Sequence, residues 1–553
     1  MKLDPDHLHF IPYKGCEEFA CNFNFYAYKG KWLLMDCGMG IAGKQYPMVD
    51  LLLPDPSFIE QYKDDILALV ITHAHEDHIG AVPHLWPRLK CPVYCSPFTA
   101  EVLRRKIKEF TACKGMKITE VREGQTLPLK PFELEFLDIT HSVLENLSTA
   151  IKTDKGTILH TGDWNLDPSP SLGKATSEDA FRKICGDGVL AYIGDSTNAQ
   201  KEGSTPSEEE VRKGLIEVFK QQKNRIAITT FSSNVGRLHS IAKAAEAVGR
   251  SVVVVGRSMN NMIGAAKKCG YLNDLPPFLK DTDYKDLPRD NVVLMTTGSQ
   301  GESRAALSRI ANGDFKGVRL EPGDSVIFSS WKIPGNEKEI NEVQNKLVAS
   351  GINVISNTNS GEHIIHVSGH PCRDELKEMI AWSTPHIAVP VHGERVMVDA
   401  HGQLARDQNV PHVIVPQNGS VIRLEKENPR IIDHIETKFL GVEPRRVIPL
   451  ESAAISERRK LQFTGCAFVS LVIDQKNKLL DDPQIDLIGL EDANTKSEDD
   501  TYDDIYGEIE SSLIDVASND LDDIEENIRI VVRRMLSHKY GFKPKVFVHA
   551  YRG

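Results

Sequence analysis

The sequence predicts an α/β protein with two interleaved α/β domains and a small α/β appendage. Three observations predict it. Short apolar runs in the first 200 residues each end in a polar cluster containing His or Asp, as at Lys31–Met35, Ile66–Ile71, Phe132–Asp138, Gly156–His160 and Val189–Ile193. Strands alternating with helices begin afresh near Gly203. From Gly361 onward, strand-end histidines return at His363, His366, His370, His386 and His392. Polar clusters at strand carboxyl ends are where α/β proteins place chemistry.

The second domain opens on Thr205-Pro206-Ser207-Glu208, which reads as a capping box with Pro at the first helical position. A helix to about Gln222 follows. Then come a strand at Arg225–Thr230, a helix from about Asn234, a strand at Ser251–Val255, a helix from about Met259, a strand at Asn291–Thr296, a helix from about Ser303 and a strand at Asp324–Ser329. Such alternation implies a parallel sheet with crossover helices. The return of His-rich strand ends marks this domain as an insertion. The expected division is 1–204 and 361–437 for the first domain, 205–360 for the inserted one, 438–460 for a charged connector and 461–553 for the appendage. In the appendage, strands are expected at Phe468–Asp474 and Val546–Ala550 with a helix around Ile524–Leu536.

The 553 residues have an ordinary hydrophobic fraction of 41% and give ample material for several cores. No apolar run approaches the roughly 20 residues of a membrane span. The polar start Met1-Lys2-Leu3-Asp4-Pro5-Asp6 lacks the apolar stretch of a secretory signal, so a cytoplasmic protein is expected. Ten scattered cysteines without a CxxC pair read as thiols in a reducing compartment, and Cys37 beside Asp36 reads as a small packed residue. The net charge of -12 argues mildly against a nucleic-acid partner. The excess, however, sits in two acidic blocks, Ser497–Glu510 and Asp520–Glu526, and the remainder is close to neutral.

The strongest signal is Ile71-Thr72-His73-Ala74-His75-Glu76-Asp77-His78-Ile79-Gly80, a set of metal-ligand side chains directly after a buried-strand pattern. Neutral imidazole and carboxylate suit Zn²⁺, with Mn²⁺ or Mg²⁺ as substitutes. A loop bending at the strand end would splay His73 and His75 toward one cation and Asp77 and His78 toward a second. His141, Asp163 and His392 each follow a strand in the same manner and complete a seven-residue set.

The order HxHxDH, His, Asp, His resembles the metallo-β-lactamase superfamily. That resemblance implies a four-layer αββα sandwich holding two divalent metal ions. His73, His75 and His141 would bind one, Asp77, His78 and His392 the other, and Asp163 both. Asp36 would orient the ligand loop from behind. Such a pair activates water and offsets charge on phosphate oxygens, and Asp77 would orient that water or accept its proton.

The inserted domain resembles the β-CASP subgroup, which acts on nucleic acids. Asp195 in Gly194-Asp195-Ser196-Thr197-Asn198 matches the group's acidic motif A, His370 in His366-Val367-Ser368-Gly369-His370 matches motif B, and His392 matches motif C in the form that favours RNA. Phe231-Ser232-Ser233-Asn234-Val235, Gly256-Arg257-Ser258-Met259, Thr297-Gly298-Ser299-Gln300-Gly301-Glu302, Ile333-Pro334-Gly335-Asn336-Glu337 and Pro416-Gln417-Asn418-Gly419 narrow the likeness to the ribonuclease J family. Departures are Ser303, Ser232 and the early loop Gly40–Lys44, none of which removes a ligand.

The resemblance implies a ribonuclease working from the 5′ end of single-stranded RNA, preferring a 5′-monophosphate, with some internal cleavage, in RNA processing and decay. Asp77, Asp195 and His370 would be catalytic, His370 serving the leaving oxygen. Ser232, Ser233, Asn234 and the run His366, Val367, Ser368, Gly369, His370 would cradle phosphate and sugar. A homodimer or homotetramer is expected. The alternatives are a thioesterase or lactamase of the same superfamily, which the large insertion disfavours, and an inactive RNA-binding scaffold, which the full ligand set disfavours. His84, His239, His401, His412 and His549 lack companion ligands and read as structural.

Overall fold

The computed structural model describes residues 3–333, 335–444, 446–490, 496–516 and 518–553. The chain forms two compact units, residues 1–41 with 52–439, and residues 42–51 with 440–553.

The larger unit contains two facing sheets. The first has eight strands in the order Arg430–His434, Ser420–Arg423, His9–Lys14, Phe23–Tyr28, Lys31–Met35, Ile66–Val70, Val93–Cys95 and Ile118–Glu120. The second has seven, in the order His412–Val413, Ile387–Val391, Ala191–Asp195, Gly156–His160, Leu147–Thr153, Phe132–Asp138 and Thr126–Leu129. Alternating side chains of both fill one core: Phe10, Tyr26, Leu33, Met35 and Val70 from the first meet Leu134, Phe136, Ile151, Ile158 and Ile193 from the second. Helices Glu178–Cys185, Arg373–Ser383 and Arg395–Asp407 cover the outer face of the second sheet through Phe181, Leu376, Met379 and Leu404. This is the metallo-β-lactamase sandwich, completed by strands that follow the inserted domain.

The insertion is a six-stranded parallel sheet in the order Leu279–Lys280, Ser251–Val255, Val292–Thr296, Ile226–Thr229, Ser325–Phe328 and Asn353–Ile355. Its strands read as continuous apolar runs because helices cover both faces. Its entry helix Glu208–Lys220 corrects the expected cap. Ser207, not Thr205, caps it, with Glu210 closing the capping box. Thr205 instead donates its backbone N–H and its hydroxyl to Glu375, a side chain brought in from residues 170 positions away. One core, including Ala74, Phe98, Val143 and Leu144 with Leu215, Leu238 and Ile263, welds the insertion to the sandwich at the seam where the ligand loop lies.

In the smaller unit, the central strand Cys466–Ile473 pairs antiparallel with Gln484–Ile488 and parallel with Lys545–Arg552. Helices Lys496–Asp515 and Leu521–Tyr540 cover one face. The first of these occupies the acidic block, where carboxylates mask an apolar stripe of Ile505, Ile509 and Leu513 at helical spacing. The segment 438–460 carries regular structure: the hairpin Phe439–Glu443 with Arg446–Pro449, and the start of helix Ala453–Thr464. All ten cysteines are free thiols. Among the described residues no helix is long and apolar enough to cross a membrane.

Candidate metal centre

The strand Ile66–Val70 delivers the ligand loop into the seam. His73 lies on the loop, His75 caps the short helix Glu76–Ile79, and Asp77 and His78 ride on that helix. The turn approaches so closely behind Cys37 that a Cβ on Gly38 would stand 1.6 Å from the Asp77 carbonyl oxygen. His141, Asp163 and His392 arrive from the ends of Phe132–Asp138, Gly156–His160 and Ile387–Val391. All seven expected ligand residues converge. His73, His75, His141 and Asp163 offer atoms within 4.8 Å of one another, as do Asp77, His78, Asp163 and His392. Asp195 and His370 join Asp163 and His392 in a third such group.

Ring orientations are set from behind. Asp36, held at φ 61, accepts from the Thr72 N–H at 2.8 Å and from the Thr72 hydroxyl, and its Oδ2 lies 2.8 Å from His78 Nδ1. His141 Nδ1 lies 2.7 Å from the Gly369 carbonyl, and His392 Nδ1 2.9 Å from Asn22 Oδ1. The contacts of His141 and His392 assign the proton to Nδ1 and leave the Nε2 lone pair facing the cluster. His73 Nε2 and His141 Nε2 both lie 3.1 Å from His75 Nδ1. Imidazole nitrogens crowded around common points in this way suit a shared cation.

Asp163 tests that fit. Its Oδ2 stands 3.1 Å from His78 Nε2 and 3.3 Å from His392 Nε2. Its Oδ1 is buried with no hydrogen-bond partner, and a buried carboxylate oxygen left without a donor is costly unless a cation takes that place. The residues therefore fit a pair of divalent metals. Protonation agrees. Burial holds His73 and His141 well below the usual imidazole range and brings His75 to about 4, so their lone pairs are available. Burial also opposes charge on His78, but Asp163, Asp77 and Asp36 outweigh it and hold His78 well above its ordinary value. Burial disfavours charge on Asp77 as well, yet His78 draws it down to about 2.

Beside the cluster, His370 Nδ1 lies 2.7 Å from Asp195 Oδ2. Burial opposes its protonation, but Asp195, then Asp163, bring it up to about 9. Gly369 permits this packing, since a Cβ there would stand 2.8 Å from the His141 ring. His366 has a different setting. Arg237, fully buried and paired with Glu208, donates from Nη1 to His366 Nδ1 at 3.0 Å, fixing the proton on Nε2. Burial and Arg237 keep that ring neutral.

Asn234 spends its side-chain oxygen on the Arg237 N–H as helix cap, and Ser232 and Ser233 form the turn before it. A cavity of about 190 Å³ opens beside His141, lined among others by Asn234, Gly236, Lys174 and Val367–Gly369, but not by Ser232 or Ser233. Pro334 of the expected motif Ile333–Glu337 lies outside the described residues. His363 and His386 stand apart, near Gln221 and the Lys426 carbonyl. Sequence reasoning missed the roles of Asn22, Arg237 and Glu208, although Glu208 lies in the run Thr205–Glu208 and Arg237 follows the run Phe231–Val235.

Residues 223–347 match the ribonuclease J β-CASP domain, and residues 453–553 the ribonuclease J C-terminal domain. Residues 31–179 match the β-lactamase superfamily domain, and residues 361–416 a domain described as a Zn-dependent metallo-hydrolase RNA specificity domain. A ribonuclease J of Sinorhizobium meliloti is 40% identical over 98% of this chain and 97% of its own length. The chain belongs to the ribonuclease J family. Ribonuclease J of Thermus thermophilus is 31% identical over 98% of this chain and 94% of its own, and ribonuclease J 1 of Streptococcus pyogenes is 33% identical over 87% and 86%. A crystal structure of an Enterococcus faecalis protein of unknown function shares the fold, with TM-score 0.54 at 16% identity over 76% of this chain and all of that one. The ribonuclease J architecture thus spans both units described above.

Proposed function

We propose that this protein hydrolyses RNA phosphodiesters at the seam between sandwich and insertion, working 5′ to 3′ with a preference for 5′-monophosphate ends and some internal cleavage. The convergence of six ligand side chains on Asp163 carries the hydrolase reading; membership of the ribonuclease J family and the RNA specificity segment support RNA as substrate. His73, His75, His141 and Asp163 would hold one divalent metal, and Asp77, His78, His392 and Asp163 the second. Bound there, the pair would supply water made acidic near neutral pH and neutralisation of phosphate charge.

The chain's own groups do the rest. Asp77, ionised at its depressed value, accepts a hydrogen bond from the attacking water and orients it. His370, protonated at neutral pH and aligned by Asp195, donates to the departing oxygen. The helix Val235–Ala247 presents its N-terminus at the cavity through Asn234 and Gly236, and Lys174 adds a positive charge, which favours a terminal phosphate. Asp138, Glu145, Asp167 and Glu208 share that wall, so a terminal phosphate must draw on the helix N-terminus and Lys174 against them.

Zinc as the resident metal, suited by the imidazole and carboxylate donors, belongs to the same proposal. So do a cytoplasmic location and assembly into a homodimer or homotetramer. Metal analysis together with digestion of 5′-labelled RNA bearing one or three terminal phosphates tests the whole. Mononucleotide release, faster from the monophosphate, is expected. Equal rates without mononucleotides would overturn the exonuclease part, and cleavage of a thioester but not of RNA would overturn the substrate.

A further inference from the structure

Trp331 is a large aromatic side chain with 56% of its surface exposed, yet its backbone is pinned. Gln300, itself buried, donates from Nε2 to the Trp331 carbonyl at 2.8 Å and accepts from the Ile333 N–H at 2.9 Å. A water-exposed indole on an immobilised backbone loses apolar burial but gains a fixed orientation. Its plane lies within 21° of the His366 imidazole, with centroids 6.4 Å apart. The Lys201 ammonium stands 5.2 Å from the indole centroid. His366 is in turn immobilised by Arg237. The run from His366 to His370 ends at Asp195 and the metal cluster. Four residues span at most roughly 14 Å, so the indole lies a short stretch of substrate away from the reacting phosphate.

Three features therefore coincide: a largely exposed indole, a near-parallel imidazole and a cation over the ring. Single-stranded nucleic acid is held by aromatic platforms flanked by positive charge, because every base has a π-face and every linkage a negative charge. A protein partner would be expected to bury a wider apolar patch than Trp331 and its exposed neighbour Ile333 beside a lysine and a histidine.

We propose that Trp331 is a stacking platform for one base of the single-stranded RNA substrate, with Lys201 set against the adjoining backbone. It is a positioning residue and touches no reacting atom. This rests on the reading of RNA as substrate, and a separate binding measurement keeps the two apart.

Trp331→Ala, Trp331→Phe and wild type are compared in the metal-loaded protein on a single-stranded oligoribonucleotide. Binding is read by fluorescence anisotropy on a phosphorothioate-linked, slowly cut analogue in which one abasic site is stepped along the chain. Loss of a base stack predicts about a tenfold rise in KM and in the dissociation constant for Trp331→Ala, with kcat within about twofold, and near-complete retention in Trp331→Phe. One abasic position should weaken wild type by a similar factor and leave Trp331→Ala no weaker than before. An unchanged dissociation constant in Trp331→Ala, equal losses in Ala and Phe variants, or the same abasic profile in wild type and Trp331→Ala would overturn the platform. Trp331-dependent binding by a wild type that cuts no RNA would leave the platform standing and overturn the hydrolase reading.

Discussion

Single side chains at this centre act mostly by fixing others. Asp36 touches no expected cation, yet its carboxylate sets both the Thr72 backbone and the His78 ring. Asp36→Ala should lower metal affinity by about 10- to 100-fold, read by competition with a chromophoric chelator, while the fold survives. Unchanged affinity would show that packing alone orients His78. His370 gives a pH test in the metal-free protein. Its folded value of about 9 exceeds the ordinary 6.5, so the stabilisation from its pairing with Asp195 is fully present below 6.5 and is lost as pH rises through about 9. Thermal melts of chelated protein should therefore fall across that window, and Asp195→Asn should flatten the fall. Retention of the full slope in Asp195→Asn would assign it to another group.

Elements show where packing overrides local pattern. The turn at Gly38 tolerates no side chain, because the obstacle is the backbone of Asp77 rather than a movable group. Gly38→Ala should displace the ligand helix and abolish metal binding, checked by metal content beside circular dichroism; normal metal content would mean that the turn yields. In the smaller unit, Ile528 is fully buried between the two helices and the sheet. Ile528→Ala should cost about 2–5 kcal/mol of that core. Hydrogen exchange should accelerate across residues 453–553, with metal content unchanged; an exchange increase spread equally over the whole chain would contradict separate cores.

For the whole molecule, the net charge of -12 equals the charge of two acidic blocks of the sequence, outside the run that supplies the expected ligands. The acidic blocks are concentrated near the C-terminal end, in Lys496–Asp515 and Leu521–Tyr540, while the expected cations would sit at the seam. Chelation should abolish RNA cleavage and lower the melting temperature of the larger unit, because ligands at a hundredfold excess over Kd stabilise by about 2.7 kcal/mol each. Full recovery with added Zn²⁺ or Mn²⁺ is expected. Cleavage that persists after complete metal removal would overturn the two-metal reading.

Much of this was already legible in the chain. HxHxDH after a buried strand, with His141, Asp163 and His392 at later strand ends, picked out seven side chains that the fold brings together, because strand ends are where loops can converge. Alternating strands and helices likewise exposed the inserted parallel sheet. Tertiary structure alone decided the supporting shell. Asn22 meets His392 across 370 positions, Arg237 reaches His366 across 129, and the glycines at 38 and 369 sit in spaces too small for a Cβ; none of this leaves a local periodicity. The cap at Ser207 with Glu210 and the stripe Ile505, Ile509 and Leu513 inside the acidic block are local patterns, legible in the chain; the tertiary structure added the bonds of Thr205 to Glu375 and the core beneath that stripe.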